Sequence, residues 1–257
     1  MRKKSEESML KIALLSVSLL VASAPAINAN IPAMAKAFPN VPLSTVELLT
    51  TISSMFLMIS VLTSSFIARK IGYKQTILLG IIIVAIFGTL PAFTHSFWLI
   101  MISRALLGYG IGLFNSLLVT MISYFYHGEI RTSLFGMQSA FEGLGGIFIT
   151  FVAGQLLKIN WQAPFYAYLL AVPVILLFFI FVPNVQVEKK DEHINEDGNN
   201  TYKGVLGYTF VIFIVSMLYM IMGIKVSTLM TSKGYGQASD ASLVIIALGI
   251  GSMVSGS

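Results

Sequence analysis

Residues 97–125 read FWLIMISRALLGYGIGLFNSLLVTMISYF, twenty-nine positions that carry a single charge, Arg104. A helix rises about 1.5 Å per residue, so crossing a hydrocarbon core of about 30 Å takes about 20 apolar residues. This stretch is long enough to span. In lipid the backbone must satisfy its own hydrogen bonds, which leaves helices and closed barrels as the only spanning forms. Barrel strands are about 10 residues long and alternate apolar with polar positions, a pattern absent here. Five similar runs flank it before residue 184, at about Leu10–Ala33, Val46–Ala68, Thr76–Phe93, Leu134–Leu157 and Ala163–Val182. A seventh run covers about Val205–Ile224, and an eighth starts after Asp240 and is still apolar at Ser257. The fold class expected is an all-α integral membrane bundle. Residues 1–183 form a six-helix bundle, 184–204 a linker, and 205–257 one full and one partial span.

Composition agrees with lipid as the solvent. Hydrophobic residues make up 56% of the chain and charged ones 11%, with a mean hydropathy of +0.84. Soluble domains carry about 25% charged residues, so this chain cannot cover its surface in water. The net charge of +5 sits in short loops, which is how membrane proteins orient and argues against nucleic acid as a partner. There is no cysteine, which excludes disulfides and thiolate metal sites.

Arg2, Lys3 and Lys4 followed by an apolar run and Ala22-Ser23-Ala24 have the outline of a secretory signal. The apolar stretch continues to about Ala33 and further spans follow at once, so it reads as an uncleaved first helix. With the N-terminus in the cytoplasm, Arg2, Lys3, Lys4, Arg69, Lys70, Lys74, Arg131, Lys189, Lys190 and Lys203 fall inside. Lys36, Lys158, Lys233 and Lys225 fall outside or near the outer ends. That bias predicts a multi-pass protein of the plasma membrane with a cytoplasmic N-terminus. Asn184–Lys203 mixes both charge signs with few apolar residues and reads as a disordered cytoplasmic linker. On that side the glycosylation pattern Asn199-Asn200-Thr201 is a chance match.

Ser65-Phe66-Ile67-Ala68-Arg69-Lys70-Ile71-Gly72-Tyr73-Lys74 resembles the G-x-L-x-D-R-x-G-R-K loop of the major facilitator superfamily. Gly72 stands at the turn glycine, and Lys70 and Lys74 at basic positions. Ser65 replaces the first glycine, and Arg69 stands where the family carries its acidic gating residue. Arg104 with Gly108, Gly110 and Gly112 resembles the family's R-x-x-x-G-x-G motif in the fourth span. Gly108 and Gly112, four apart, share a helix face for close packing. The loop Gly128-Glu129-Ile130-Arg131 also resembles the family. So does the fifth helix, where Gly146, Thr150 and Gly154 make a small-residue stripe ahead of Trp161-Gln162-Ala163-Pro164-Phe165. No proline lies between Leu134 and Leu157, unlike the Gly-Pro pair of drug/proton antiporters. Past the linker, Lys233-Gly234-Tyr235-Gly236 and the eighth-span glycines Gly249 and Gly251 continue the likeness. The resemblance covers about eight of twelve expected helices. It implies a piece of a longer two-bundle transporter, inactive alone.

Arg104 lies about two turns inside its span, where a charge normally faces a partner or a wet cavity; snorkelling to the outer interface is the alternative. Glu142 is the one carboxylate well inside a span, and at that depth it is a protonatable site. The two are expected near the membrane middle, facing one cavity in which Glu142 couples protons or binds cationic substrate; a structural ion pair is the other possibility. Asn28, Asn30, Asn115 and Gln138 are further polar groups at depth, suited either to line a cavity or to bond across helices. Pro25 and Pro32 are expected to kink the first helix, and Trp98, Trp161 and Tyr126 to anchor span ends at the interface. His95, His127 and His193 are dispersed and suggest no metal site, and no cofactor is expected. No nucleotide-binding loop or nucleophile constellation appears, so an enzyme or ATP-driven pump lacks support.

The function expected is a secondary active transporter of a small solute. It works by alternating access, coupled to an ion gradient (a proton gradient first), with efflux favoured over uptake on the resemblance. A membrane receptor or scaffold that keeps the fold without transporting is the alternative.

Overall fold

A computed structural model of the protein describes residues 2–184 and scattered positions between 214 and 247, and every regular element among them is helical. The expected linker beyond Asn184, most of the seventh span, and Gly249 and Gly251 lie outside the described residues.

Six segments are long and apolar enough to cross a membrane by length and composition. The first, Glu7–Ala37, is broken: α1 (Arg2–Ser18) gives way to a 3₁₀ segment at Val21–Asn30 and then to α2 (Ile31–Ala37). Pro25 lies inside the 3₁₀ segment, where it lacks the N–H that a regular helix would use. α3 (Leu43–Ile71), α4 (Tyr73–Thr89, extended by a 3₁₀ turn at Leu90–Phe93), α5 (Phe97–Phe125) and α6 (Gly128–Leu156) follow. The sixth span starts as a 3₁₀ segment, Ala163–Leu170, and continues as α7 (Ala171–Phe181).

Glycines on two faces let α5 sit between α3 and α4 as the most buried of the six spans. A Cβ on Gly108 would fall on the carbonyl of Ser53, and one on Gly112 on the carbonyl of Leu57, both in α3. Gly110 turns the other way: a Cβ there would meet the Gly80 carbonyl oxygen of α4 at 2.7 Å. Serines stitch the α3 side, with Ser53 Oγ donating to the Arg104 carbonyl at 2.9 Å, Ser60 Oγ to that of Tyr109, and Ser64 paired with Ser116 at 2.8 Å. Interhelical hydrogen bonds of this kind contribute about 0.6 kcal/mol each in a bilayer, so backbone proximity is the larger effect. α3 and α6 are the least buried spans. On α3, Met55, Met58, Leu62 and Phe66 form an exposed apolar stripe at helical spacing.

Gly72 alone separates α3 from α4, with φ 93° and ψ 157°, a region that only glycine occupies without strain. Beside it Lys74 Nζ donates to the Phe179 carbonyl at 2.8 Å, placing a cation at the C-terminal turn of α7. Replacing Gly72 with alanine costs about 2 kcal/mol in backbone strain. The melting temperature of the detergent-solubilised protein should then fall by about 6 °C, read from intrinsic fluorescence. An unchanged melt would show that the turn relaxes without loss.

Tyr126 departs from the role of interface anchor. Its ring is buried, with Lys11 Nζ 5.2 Å from the ring centre and its hydroxyl without a hydrogen-bond partner among the described residues. Burial, and after it the charge of Glu7, raise the phenol above its ordinary pKa, which keeps it neutral. Trp98 is exposed.

Candidate functional site

The 3₁₀ segment of the first span runs through the bundle, and a buried cation meets one of its backbone carbonyls. Arg104 is 0% exposed, so the guanidinium does not snorkel to the interface. Its Nη2 donates to the Ala24 carbonyl at 3.1 Å, and both terminal nitrogens donate to the Tyr168 hydroxyl at 3.1 Å. Tyr168, from the 3₁₀ start of the sixth span, in turn donates to the Ser23 carbonyl at 2.9 Å. Among the described residues Arg104 Nε has no hydrogen-bond partner. A charge without a carboxylate is costly in a low-dielectric interior, and among the described residues the Ala24 carbonyl and the Tyr168 phenol are its partners.

Other spans hold the same segment from outside. Thr50 Oγ1 in α3 donates to Asn28 Oδ1 at 3.0 Å, and Asn30 Nδ2 donates to the Trp161 carbonyl at 2.7 Å. From α6, Gly145 lies against the backbone of Leu19, and a Cβ on Gly146 would stand 3.0 Å from that of Ala22. Gly154 is buried further along α6. The break is therefore gripped by α3, α5, α6 and the sixth span together.

Glu142 sits one helical turn before Gly146, half-buried, and accepts a hydrogen bond from Gln138 Nε2 at 3.3 Å. It forms no ion pair with Arg104 among the described residues. Arg104 is buried with its terminal nitrogens bonded to the Ala24 carbonyl and the Tyr168 hydroxyl, and the void beside Tyr168, lined also by Ile27, Ile149 and Phe165, measures about 10 Å³. That is barely the volume of one water. Arg104 on α5 bonds the broken segment, and Glu142 lies on α6 a turn before the glycines packed against it. Asn115 is half-buried on α5 without a hydrogen bond among the described residues. In the loop region, Lys70 Nζ lies 4.5 Å from the centre of the Phe66 ring, while Arg69 is exposed.

The sequence pointed to Arg104, Glu142 and the asparagines but not to Tyr168, Thr50 or Gly145. A tyrosine within an aliphatic span was the available signal for Tyr168; for Gly145 the neighbouring Gly146 at the four-residue spacing was the more regular choice.

The curated Facilitated trehalose transporter Tret1 of Polypedilum vanderplanki is 32% identical over 108 residues, 42% of this chain and 21% of that protein. A D-xylose-proton symporter superposes with a TM-score of 0.68 at 15% identity, covering 94% of this chain and 65% of its own. The proton:xylose symporter XylE bound to 6-bromo-6-deoxy-D-glucose gives 0.62 at 16% identity, covering 70% and 46%. The inward-open xylose transporter XylE from E. coli gives 0.59 at 15%, covering 70% and 48%. At such identities the likeness is one of fold. The chain spans about a fifth of the trehalose transporter and between about half and two thirds of the symporters. The sequence matches the Major Facilitator Superfamily over residues 13–257, and with the broken first helix, the glycine-faced α5 and the one-residue turn at Gly72 in place, the chain belongs to that superfamily.

Proposed function

We propose that the chain is part of a secondary transporter that moves a small hydroxyl-bearing solute across a membrane by alternating access, driven by protons. The observation that carries this reading is the broken first span, gripped by Arg104 and Tyr168 on one side and lying one turn from Glu142 on the other. Discontinuous helices at mid-membrane are where transporters of this architecture place their binding groups. A carboxyl group there, supported by Gln138, is the group best placed to take up and release the coupling proton. The names of the relatives, a trehalose transporter and proton:xylose symporters, support a sugar-like solute. Symport runs solute and proton in the same direction, which favours uptake over the efflux that the sequence resemblance alone suggested.

The reading also puts residues 1–183 in the first of two bundles and 205–257 in the second, joined by a linker over 184–204. Arg2, Lys3, Lys4, Arg69, Lys70 and Lys74 stand on the cytoplasmic side of a plasma membrane. The departure at Arg69, a cation in the acidic gating position, leaves Lys74 bonded to the end of α7 as the contact that holds that loop.

The test is uptake of radiolabelled xylose and trehalose into proteoliposomes that hold the intact protein, with and without an imposed proton gradient. Glu142→Gln should lower gradient-driven accumulation by about ten-fold and flatten its dependence on pH, while gradient-independent exchange persists. Unaltered accumulation and pH profile in Glu142→Gln would remove the proton role from Glu142. Repeated absence of flux for a broad set of solutes would favour a receptor or scaffold that keeps the fold.

A further inference from the structure

Met58, Leu62, Phe66 and Lys70 are exposed positions of α3 that stand four residues apart and lead toward Gly72. That spacing keeps them on one face of the helix. Leu62 is 77% exposed and Phe66 62%, and Lys70 Nζ lies over the Phe66 ring, 4.5 Å from its centre. The stripe is apolar for about two turns and ends in a cation held over its last ring. Arg69 is exposed beside Lys70, and Lys74, across the Gly72 turn, donates to the Phe179 carbonyl at the end of α7. None of these three cations forms an ion pair among the described residues. With Arg69 in the position where the family carries an acid, the turn bears charge of one sign only.

We propose that this end of α3 binds an anionic phospholipid, with the phosphate on Arg69 and Lys70 and an acyl chain along Phe66, Leu62 and Met58. The lipid carries its groups in the same order as the stripe, a charged head and then hydrocarbon. Eight residues separate Lys70 from Leu62, about 12 Å along the helix, so Leu62 lies within the hydrocarbon when the ammonium is at headgroup level. The Lys70 stem can follow the Phe66 ring outward while its charge stays at the surface. Each basic residue at an anionic surface strengthens such binding by about five-fold. A zwitterionic headgroup brings a cation of its own, which three unpaired positive side chains repel. Lys74, tied to α7, adds its charge and steadies the turn without having to reach the lipid. The inference needs only that the chain spans a membrane and is independent of the transport reading.

The sequence contains no cysteine, so Leu62→Cys supplies a single thiol for a bimane fluorophore. The measurement is quenching of that bimane in the full chain, reconstituted in phosphatidylcholine liposomes, as brominated phosphatidylglycerol or brominated phosphatidylcholine is mixed in. Half-quenching should need about twenty-fold less of the glycerol lipid than of the choline lipid. Arg69→Gln and Lys70→Gln should each cut that preference about five-fold, and together they should bring the two lipids level. Both side chains are exposed, so these changes leave the packing of the bundle intact. Lys158→Gln removes the same charge beyond the C-terminal end of α6 and should leave the preference unchanged. Exchanging chloride for inorganic phosphate at equal ionic strength should also change nothing; a preference lost to phosphate would mark a site for the free anion and overturn the lipid. Equal quenching by the two lipids in the parent, or a preference that persists in the double variant, would overturn the proposal. So would the absence of quenching by either lipid, which would show the stripe covered by protein.

Discussion

Adding one methyl group at Gly108 should destabilise the bundle by about 3 kcal/mol and lower its melting temperature by about 10 °C. The alanine Cβ would fall on the Ser53 carbonyl, and its second and third nearest neighbours, at 2.6 and 2.8 Å, are also backbone atoms of Ser53. No rotamer change relieves a clash with backbone. α3 and α5 have to move apart, and the bond from Ser53 Oγ to the Arg104 carbonyl and the Ser64–Ser116 pair move with them. Gly136 on α6 is the control, because nothing lies within 4 Å of a Cβ built there. Gly136→Ala gains helix propensity of about 0.8 kcal/mol and should raise the melt slightly. Identical chemistry therefore has opposite signs at the two sites. Equal shifts for the two variants would mean that the contact of α3 with α5 is looser than its geometry indicates.

Tyr168→Phe should cost about 3 kcal/mol in the parent protein but only about 1 kcal/mol when Arg104 is already methionine. In the parent, losing the hydroxyl leaves the buried guanidinium Nη1 and the Ser23 carbonyl without these bonds, while Nη2 keeps its bond to Ala24. With Arg104→Met the cation is gone, and only the bond to Ser23 remains to be lost. Arg104→Met by itself should change stability little. It orphans the Ala24 carbonyl, yet it also removes a buried charge that no carboxylate balances. Unfolding of the four proteins in a denaturing-detergent titration gives the coupling energy directly. Additive losses would show that Arg104 and Tyr168 act independently, and the account of the break would fail with them.

The spans were legible because hydropathy is local: the fourth, Phe97–Phe125, has the same bounds in sequence and structure. The fifth begins at Gly128 rather than near Leu134, since Glu129 and Arg131 interrupt the apolar run without interrupting the helix. The first extends from Glu7 to Ala37 because a helix winds through its polar ends as readily as through its apolar middle. Gly108 and Gly112 could be recognised from their spacing alone. Their serine partners on α3 could not, because nothing in one helix records which neighbour it will face. The break was harder still. Pro25 announced a kink, but the length of the 3₁₀ segment depends on donors that stand 80 and 145 residues away. Arg104 and Glu142 were found as rare charges in apolar runs, yet the full burial of the one and the half-burial of the other are set by packing that no single segment contains.

The distant donors to that break impose an order on biogenesis. The first span enters the bilayer long before Arg104 and Tyr168 have been synthesised, so the carbonyls of Ser23 and Ala24 have no partners during that interval. Lipid supplies none, and a regular helix that keeps its own hydrogen bonds, apart from the one Pro25 denies it, is the form that can wait there. The unwound stretch is thus acquired late, when the fourth and sixth spans arrive and exchange their donors for bonds along the first helix. A ribosome-bound chain stopped before Tyr168 should still carry its first span as a continuous rod.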